Sequence, residues 1–255
     1  MTEEILVIEH LKKSFDNNLI IDDLNLSVHR GEVIVIIGPS GCGKSTLLRC
    51  INALESIQGG TIRLHDEKFE KDSSNLKKIR EKIGMVFQNY ELFPHLTVLD
   101  NITLAPMKVQ KRDRKEAEEM AIKFLKRVGL ENKVNSFPRE LSGGQKQRVA
   151  IVRMLCMKPE ILLFDEVTAA LDPEMVREVL DVMLRLASQG KTMLIVTHEM
   201  QFARAIADRI IFMDKGKIVE ESDPESFFTM PKTDRAKKFL DIFEFHALND
   251  AGSNI

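Results

Sequence analysis

The chain has 255 residues, 44% of them hydrophobic and 30% charged, enough to bury one large core or one core with a subdomain. Its formal charge of −2 argues against a dedicated nucleic-acid or lipid-surface binder, which would display a basic excess. Three cysteines without metal-type pairing suit a reducing compartment, and neither a signal peptide nor an apolar run of membrane-spanning length is visible, so a cytosolic protein is expected.

In chain order, Glu4 to Glu9 and Leu19 to Val28 alternate apolar and polar residues like half-exposed strands joined at Asp16-Asn17-Asn18, an antiparallel start that Thr61 to Leu64 would extend. The apolar run Val33 to Ile37 leads into Gly38-Pro39-Ser40-Gly41-Cys42-Gly43-Lys44-Ser45-Thr46 and then LLRCINALE, giving strand, glycine-rich turn and helix. This fits the GxxxxGK[ST] phosphate-binding loop: glycines let backbone N–H groups approach a polyphosphate, Lys44 reaches its terminal phosphates, and Ser45 offers a hydroxyl to Mg²⁺. The following helix adds its positive end, so the Cys42 thiol is expected to have a lowered pKa and to react readily with alkylating agents.

Leu76 to Glu81 precedes IGMVFQ, a strand expected to end at Gln88. A mainly helical region follows, with Ala117, Met120, Ala121, Phe124, Leu125 and Val128 at helical spacing. Leu141-Ser142-Gly143-Gly144-Gln145 runs into KQRVAIVRML. Ser142 reads as an N-cap, but two glycines behind it weaken helix initiation by roughly 1 kcal/mol each, so a purely structural cap has little reason for them. A cradle for a γ-phosphate does have a reason, and since the first loop already serves that phosphate in its own subunit, the second most simply comes from another molecule. ILLFDE then places Asp165 and Glu166 at the carboxyl end of a strand, where Asp165 would hold Mg²⁺ through water and Glu166 would polarise an attacking water. A helix over Glu174 to Ser188, the strand TMLIVTH, a helix from Met200 to Ala207 and the hairpin RIIFMDKGKIVEE complete an α/β pattern with a mostly parallel sheet, and Ala247 to Ile255 looks frayed.

The phosphate loop, LSGGQ, LLFDE, Ala170-Leu171-Asp172 and Thr197-His198, in this order, resemble the nucleotide-binding subunit of ATP-binding cassette transporters over nearly the whole chain. The resemblance implies a P-loop NTPase core (1–88 and 158–246) with an N-terminal antiparallel β-subdomain, a helical subdomain (89–157) carrying LSGGQ, and a tail at 247–255. It further implies an ATPase using ATP and Mg²⁺, in a head-to-tail homodimer where Ser142, Gly143, Gly144 and Gln145 of one subunit complete the other's site. Gln88 would touch Mg²⁺ and water, His198 the γ-phosphate, and Phe15 the adenine, while Asp172 would lie in a loop crossing the dimer interface. The chain would dock peripherally on the cytoplasmic face of the membrane against separate permease subunits, with a solute-binding protein engaged indirectly and no nucleic acid bound. The apolar segment Asn89 to Thr97, including Phe93, suits the socket for the permease.

NYELFPHLTVLDNITLAPMKVQK, FDEVTAALDPEMVREVL and VTHEMQFARAIADRIIFMDKGKIVE are similar to the polar amino acid importer branch, with another ABC ATPase, such as one energising lipoprotein, lipid or drug export, as the alternative. Chromosome ATPases insert long heptad coils that are not found here, and two-headed translation factors repeat motifs that here occur once. Val167, Ala169, Val152, Met154 and Cys156 depart from the family pattern without removing a catalytic group, and the bulkier residues after LSGGQ should alter packing around that helix.

Overall fold

The computed structural model describes residues 3–16, 18–69 and 76–251, with side chains to 242. In chain order the elements are β1 Glu4–Phe15, β2 Asn18–His29, β3 Val33–Ile37, α1 Lys44–Ile51, β4 Gly59–Leu64, β5 Glu67–Lys68, α2 Leu76–Lys82, β6 Ile83–Val86, α3 Val98–Lys108, α4 Arg114–Arg127, α5 Gly143–Leu155, β7 Ile161–Asp165, α6 Pro173–Ser188, β8 Thr192–Val196, α7 Met200–Ile206, β9 Arg209–Asp214, β10 Lys217–Ser222, α8 Pro224–Thr229 and α9 Asp234–Ala251. The backbone thus stays helical through Ala247 to Ala251, where a frayed end was expected, and 252–255 lie outside the described residues.

The chain forms two compact units, Met1–Leu76 with Thr192–Ile255, and Lys77–Lys191. The first unit holds the antiparallel sheet β2-β1-β4-β5 and the strand set β10-β9-β3-β8. Strand β3 pairs in parallel with both β8 and β9, and all five of its residues are buried, as a β-branched run flanked on both edges by parallel strands must be. Strand β1 is longer than its alternation suggested. His10 takes a left-handed φ of 52°, and the register against β2 shifts between Ile8 and Leu11. After this bulge, Leu11 and Lys13 both point inward.

In the second unit β6 and β7 pair in parallel from Ile83↔Ile161 to Val86↔Phe164, and helices α3 to α6 make up most of the remainder. The helical segment 89–157 falls inside this unit, which also contains β6, β7 and α6. Met154, one of the bulkier departures on α5, packs on Gly84 of β6: a Cβ there would stand 2.5 Å from Met154 Cγ. A small residue on the strand accommodates the larger one on the helix.

Candidate nucleotide site

In the first unit the phosphate-type loop joins β3 to α1. Gly38 has φ 152°, and a Cβ on it would lie 2.1 Å from the Met213 carbonyl oxygen, so no side chain fits. Gly43 caps α1 in the left-handed region, φ 106°, which turns the chain sharply before Lys44. Lys44 is only 3% exposed, and its Nζ donates to the Gly38 and Pro39 carbonyls at 2.9 and 3.0 Å. Its ammonium is therefore drawn across its own loop, over the ring of backbone that a polyphosphate would occupy. Ser40 and Gly41 are exposed, while Ser45 and Thr46 are half-buried in the first turn of α1.

Cys42 corrects the expectation of a reactive thiol. It is buried, and desolvation pushes its pKa up, outweighing the nearby Lys44 cation that pulls it down. A helix start favours a thiolate only where the sulfur keeps access to water, and here its Sγ lies 3.0 Å from the Cβ position of Gly38, inside the loop.

His198 reaches the same sheet edge as the loop. The register Ile36↔Val196 leaves Gly38 and His198 each two residues beyond a paired position at the carboxyl ends of adjacent parallel strands. His198 is exposed, and the buried Thr197 accepts the Glu199 N–H at 3.1 Å, holding the turn. Phe15 ends β1, 42% exposed. The hairpin it belongs to abuts the loop, because Ile20 and Ile21 of β2 line the space over Gly43.

In the second unit, Asp165 is the last residue of β7 and 5% exposed. Glu166 follows past the strand end with φ 48°, a left-handed conformation that costs a non-glycine residue about 1 kcal/mol or more. Strand β6 stops at Val86, two residues short of expectation, so exposed Gln88 lies on the turn beyond it. The register Val86↔Phe164 puts Gln88 and Asp165 at one strand edge. Ala169 N–H to Glu166 O and Leu171 N–H to Thr168 O, both 3.1 Å, carry the chain by successive turns to exposed Asp172, the N-cap of α6, whose side chain makes no capping bond.

Ser142 caps α5 in a reciprocal box: its Oγ accepts the Gln145 N–H at 3.3 Å, and Gln145 Oε1 accepts the Ser142 N–H at 3.1 Å. The two glycines have a structural reason after all, correcting the argument that only an anion would require them. A Cβ on Gly143 would meet Leu171 Cδ2 at 2.9 Å and the Tyr90 hydroxyl at 3.0 Å, and one on Gly144 would meet Met175 Cβ at 2.9 Å. The Gln88 turn, the helix start and the turn before Asp172 thus converge. Tyr90 and Arg153 are the residues that local spacing could not reveal. Tyr90 (φ 60°) and Glu91 (φ 49°) are consecutive left-handed residues, and Arg153 of α5 donates to their carbonyls at 3.0 and 2.6 Å. Burial holds the Tyr90 phenol above its ordinary range, so it stays a neutral donor beside Gly143.

The segment after Gln88 hangs on Asn101, which is 1% exposed. Its amide accepts the Phe93 N–H and donates to the Phe93, Leu96 and Thr97 carbonyls at 2.8 to 3.1 Å. With its backbone so fixed, the segment leaves the Phe93 ring 44% exposed. Of the oxygen donors expected for a metal, the Gln88 amide and the Asp165 carboxylate lie at one strand edge of the second unit, and the Ser45 hydroxyl lies in the first turn of α1 in the first unit. No cluster of three or more His, Cys, Asp or Glu side chains suited to a metal occurs among the described residues.

Residues 21–169 match the family model for ABC transporters. The chain is 58% identical to the glutamate transport ATP-binding protein of Corynebacterium efficiens, over 90% of this chain and 95% of that one. It is 55% identical to the glutamine transport ATP-binding protein of Geobacillus stearothermophilus, over 92% and 98%. A dimeric ATP-binding cassette solved in a post-hydrolysis state with ADP and Pi superposes with a TM-score of 0.78 at 35% identity, covering 86% of this chain and 99% of that one. Matched by that family model over more than half of its length and carrying the phosphate loop, the capped LSGGQ helix and the strand-end carboxylates, the chain belongs to the ABC transporter family as an ATP-binding cassette.

Proposed function

We propose that this chain is the ATP-hydrolysing subunit of an importer, acting as a head-to-tail homodimer on the cytoplasmic face of a membrane and driving uptake of a polar amino acid such as glutamate or glutamine through separate permease subunits. The observation that carries this reading is identity of 58% and 55% with relatives named for glutamate and glutamine transport, each spanning nine tenths or more of both chains. Their near-equal similarity separates no solute, which the permease and an extracytoplasmic solute-binding protein would select. No helix among the described residues is long and apolar enough to cross a membrane.

Phosphoryl transfer asks for positioning and charge stabilisation rather than covalent catalysis. The glycine-loop amides and Lys44 would hold the phosphates, with Phe15 against the base. Ser45, Gln88 and Asp165 would hold Mg²⁺, which neutralises charge on the phosphate oxygens. Glu166 would orient the attacking water and His198 would bond the γ-phosphate. Ser142 to Gln145 of the partner would close over that phosphate, with Asp172 at the interface. Hydrolysis then removes the group that bridges two subunits, the dimer opens, and the segment around Phe93 passes the motion to the permease.

Glu166→Gln tests the catalytic core. It keeps shape and removes the base, so ATP should still bind while turnover falls by about 10²-fold or more. With ATP, this variant should run as a dimer by light scattering. Wild-type turnover, or a monomer with ATP bound, would contradict the assignment, as would failure of the wild-type protein to co-purify with any integral membrane protein.

A further inference from the structure

We propose that Lys13 is a positioning residue for the nucleotide base, acting through the ring of Phe15; this rests on the assignment of Phe15 as the base-stacking ring. Lys13 is 3% exposed, an unusual place for an ammonium. The bulge at His10 turns it inward, and an apolar side chain would fill an inward strand position without desolvating a charge. Its three donor directions are all engaged. Nζ donates to Glu55 Oε2 at 3.0 Å and to the Ser56 carbonyl at 2.9 Å, and it stands 4.2 Å from the centroid of the Phe15 ring. The contact forms at the end of β1, where the register against β2 shifts between Lys13 and Ser14.

The tie reaches back to the phosphate loop. Leu54 and Glu55 N–H groups bond the Arg49 carbonyl at 2.8 and 3.1 Å, fastening this segment to the end of α1, the helix that begins at Lys44. Gln58 fastens the same segment to β1, its N–H on the Lys12 carbonyl and its Oε1 accepting the Ser14 N–H, at 2.9 and 2.8 Å. A continuous path therefore runs from Lys44 through α1, Glu55 and Ser56 to Lys13 and Phe15. It sets the spacing between the phosphate end and the base end before any nucleotide arrives, which lowers the ordering cost of binding.

The cation also acts on the ring itself. An ammonium against one face is attracted by the negative π-cloud and draws density toward itself. The opposite face, on a ring that is 42% exposed, becomes less negative and repels the π-cloud of a stacked purine less.

The test is calorimetric binding of ATP and of inorganic tripolyphosphate to the wild type, Lys13→Met, Phe15→Ala and the double variant. Lys13→Met should weaken ATP by about fivefold to tenfold while changing tripolyphosphate, which has no base, by less than about twofold. In the Phe15→Ala background the same change should add less than about twofold, because the effect passes through the ring. At saturating ATP, kcat should be unchanged. Should Lys13→Met fail to fold, Lys13→Gln keeps an N–H for the Ser56 carbonyl, removes the charge and carries the same prediction. Equal losses for ATP and tripolyphosphate, or an undiminished loss in the Phe15→Ala background, would make Lys13 merely structural and overturn the inference. Normal ATP affinity in Lys13→Met with reduced affinity in Phe15→Ala would overturn it alone. Normal affinity in Phe15→Ala would remove the base-stacking assignment and the inference with it.

Discussion

Replacing Arg153 by methionine should release the turn that carries Gln88. Arg153 spans Tyr90 O and Glu91 O at 3.0 and 2.6 Å, and both residues sit in left-handed backbone at about 1 kcal/mol each. Hydrogen bonds from a charged donor are worth about 1.5–3 kcal/mol apiece, so two contribute about 3–6 kcal/mol gross. Burial already pulls the Arg153 pKa down, a sign that desolvation of the guanidinium offsets part of this, and the freed carbonyls can turn to water. A net loss of about 2 kcal/mol remains, which is about thirtyfold in the local opening equilibrium. Methionine preserves most of the stem packing on α5. Native-state hydrogen exchange should therefore show amides from Asn89 to Phe93 losing about thirtyfold in protection while β7 and α6 are unchanged. Adding Glu91→Gly, which relieves one left-handed side chain, should restore part of it. Unchanged exchange in the turn, or a uniform loss over the second unit, would refute the idea that Arg153 clamps a strained turn.

Lys44→Ala should weaken ATP by about tenfold or more by calorimetry, because it removes the point charge for the phosphates along with the donor that ties Gly38 and Pro39; equal affinity would count against the phosphate loop. Cys42 should alkylate more slowly than a free thiol at neutral pH, since its raised pKa leaves little thiolate. Its rate should climb about tenfold per pH unit and keep climbing past the ordinary thiol value of about 8.5; a plateau there, or fast labelling at pH 7, would show that the sulfur is not desolvated. Phe93→Asp should leave ATPase activity of the isolated subunit within about twofold and abolish coupled transport, because a charge in an apolar socket costs several kcal/mol; retained transport would move the docking site elsewhere.

The nucleotide half of the account was readable because its signals are local. A β-branched run followed by glycines, lysine and a helical pattern admits one arrangement, and β3, the loop and α1 follow it. The same holds for Ser142, which reads as an N-cap before a helical pattern, while the reciprocal bond from Gln145 that completes the box emerges only in the fold. What escaped depends on contacts distant in sequence. Gly143 and Gly144 are dictated by Leu171, Tyr90 and Met175, which no local spacing relates to them. Cys42 was misread because the helix start is visible in sequence while burial of its sulfur inside the loop is not. Lys13 reads as one more surface lysine until the bulge at His10 resets which residues of β1 face inward. Arg153 looks like an ordinary helix residue until two left-handed carbonyls, 62 and 63 residues earlier, are found against it.

The central claim is that ATP hydrolysis by this chain powers amino-acid uptake. It is tested most directly by labelled glutamate and glutamine accumulation in cells lacking the gene, complemented with either wild type or Glu166→Gln at equal expression. The account predicts that the wild type restores ATP-dependent accumulation of at least one polar amino acid while Glu166→Gln restores none and sugar uptake is unaffected throughout. Unchanged amino-acid accumulation in the deletion strain, or full restoration by Glu166→Gln, would contradict it.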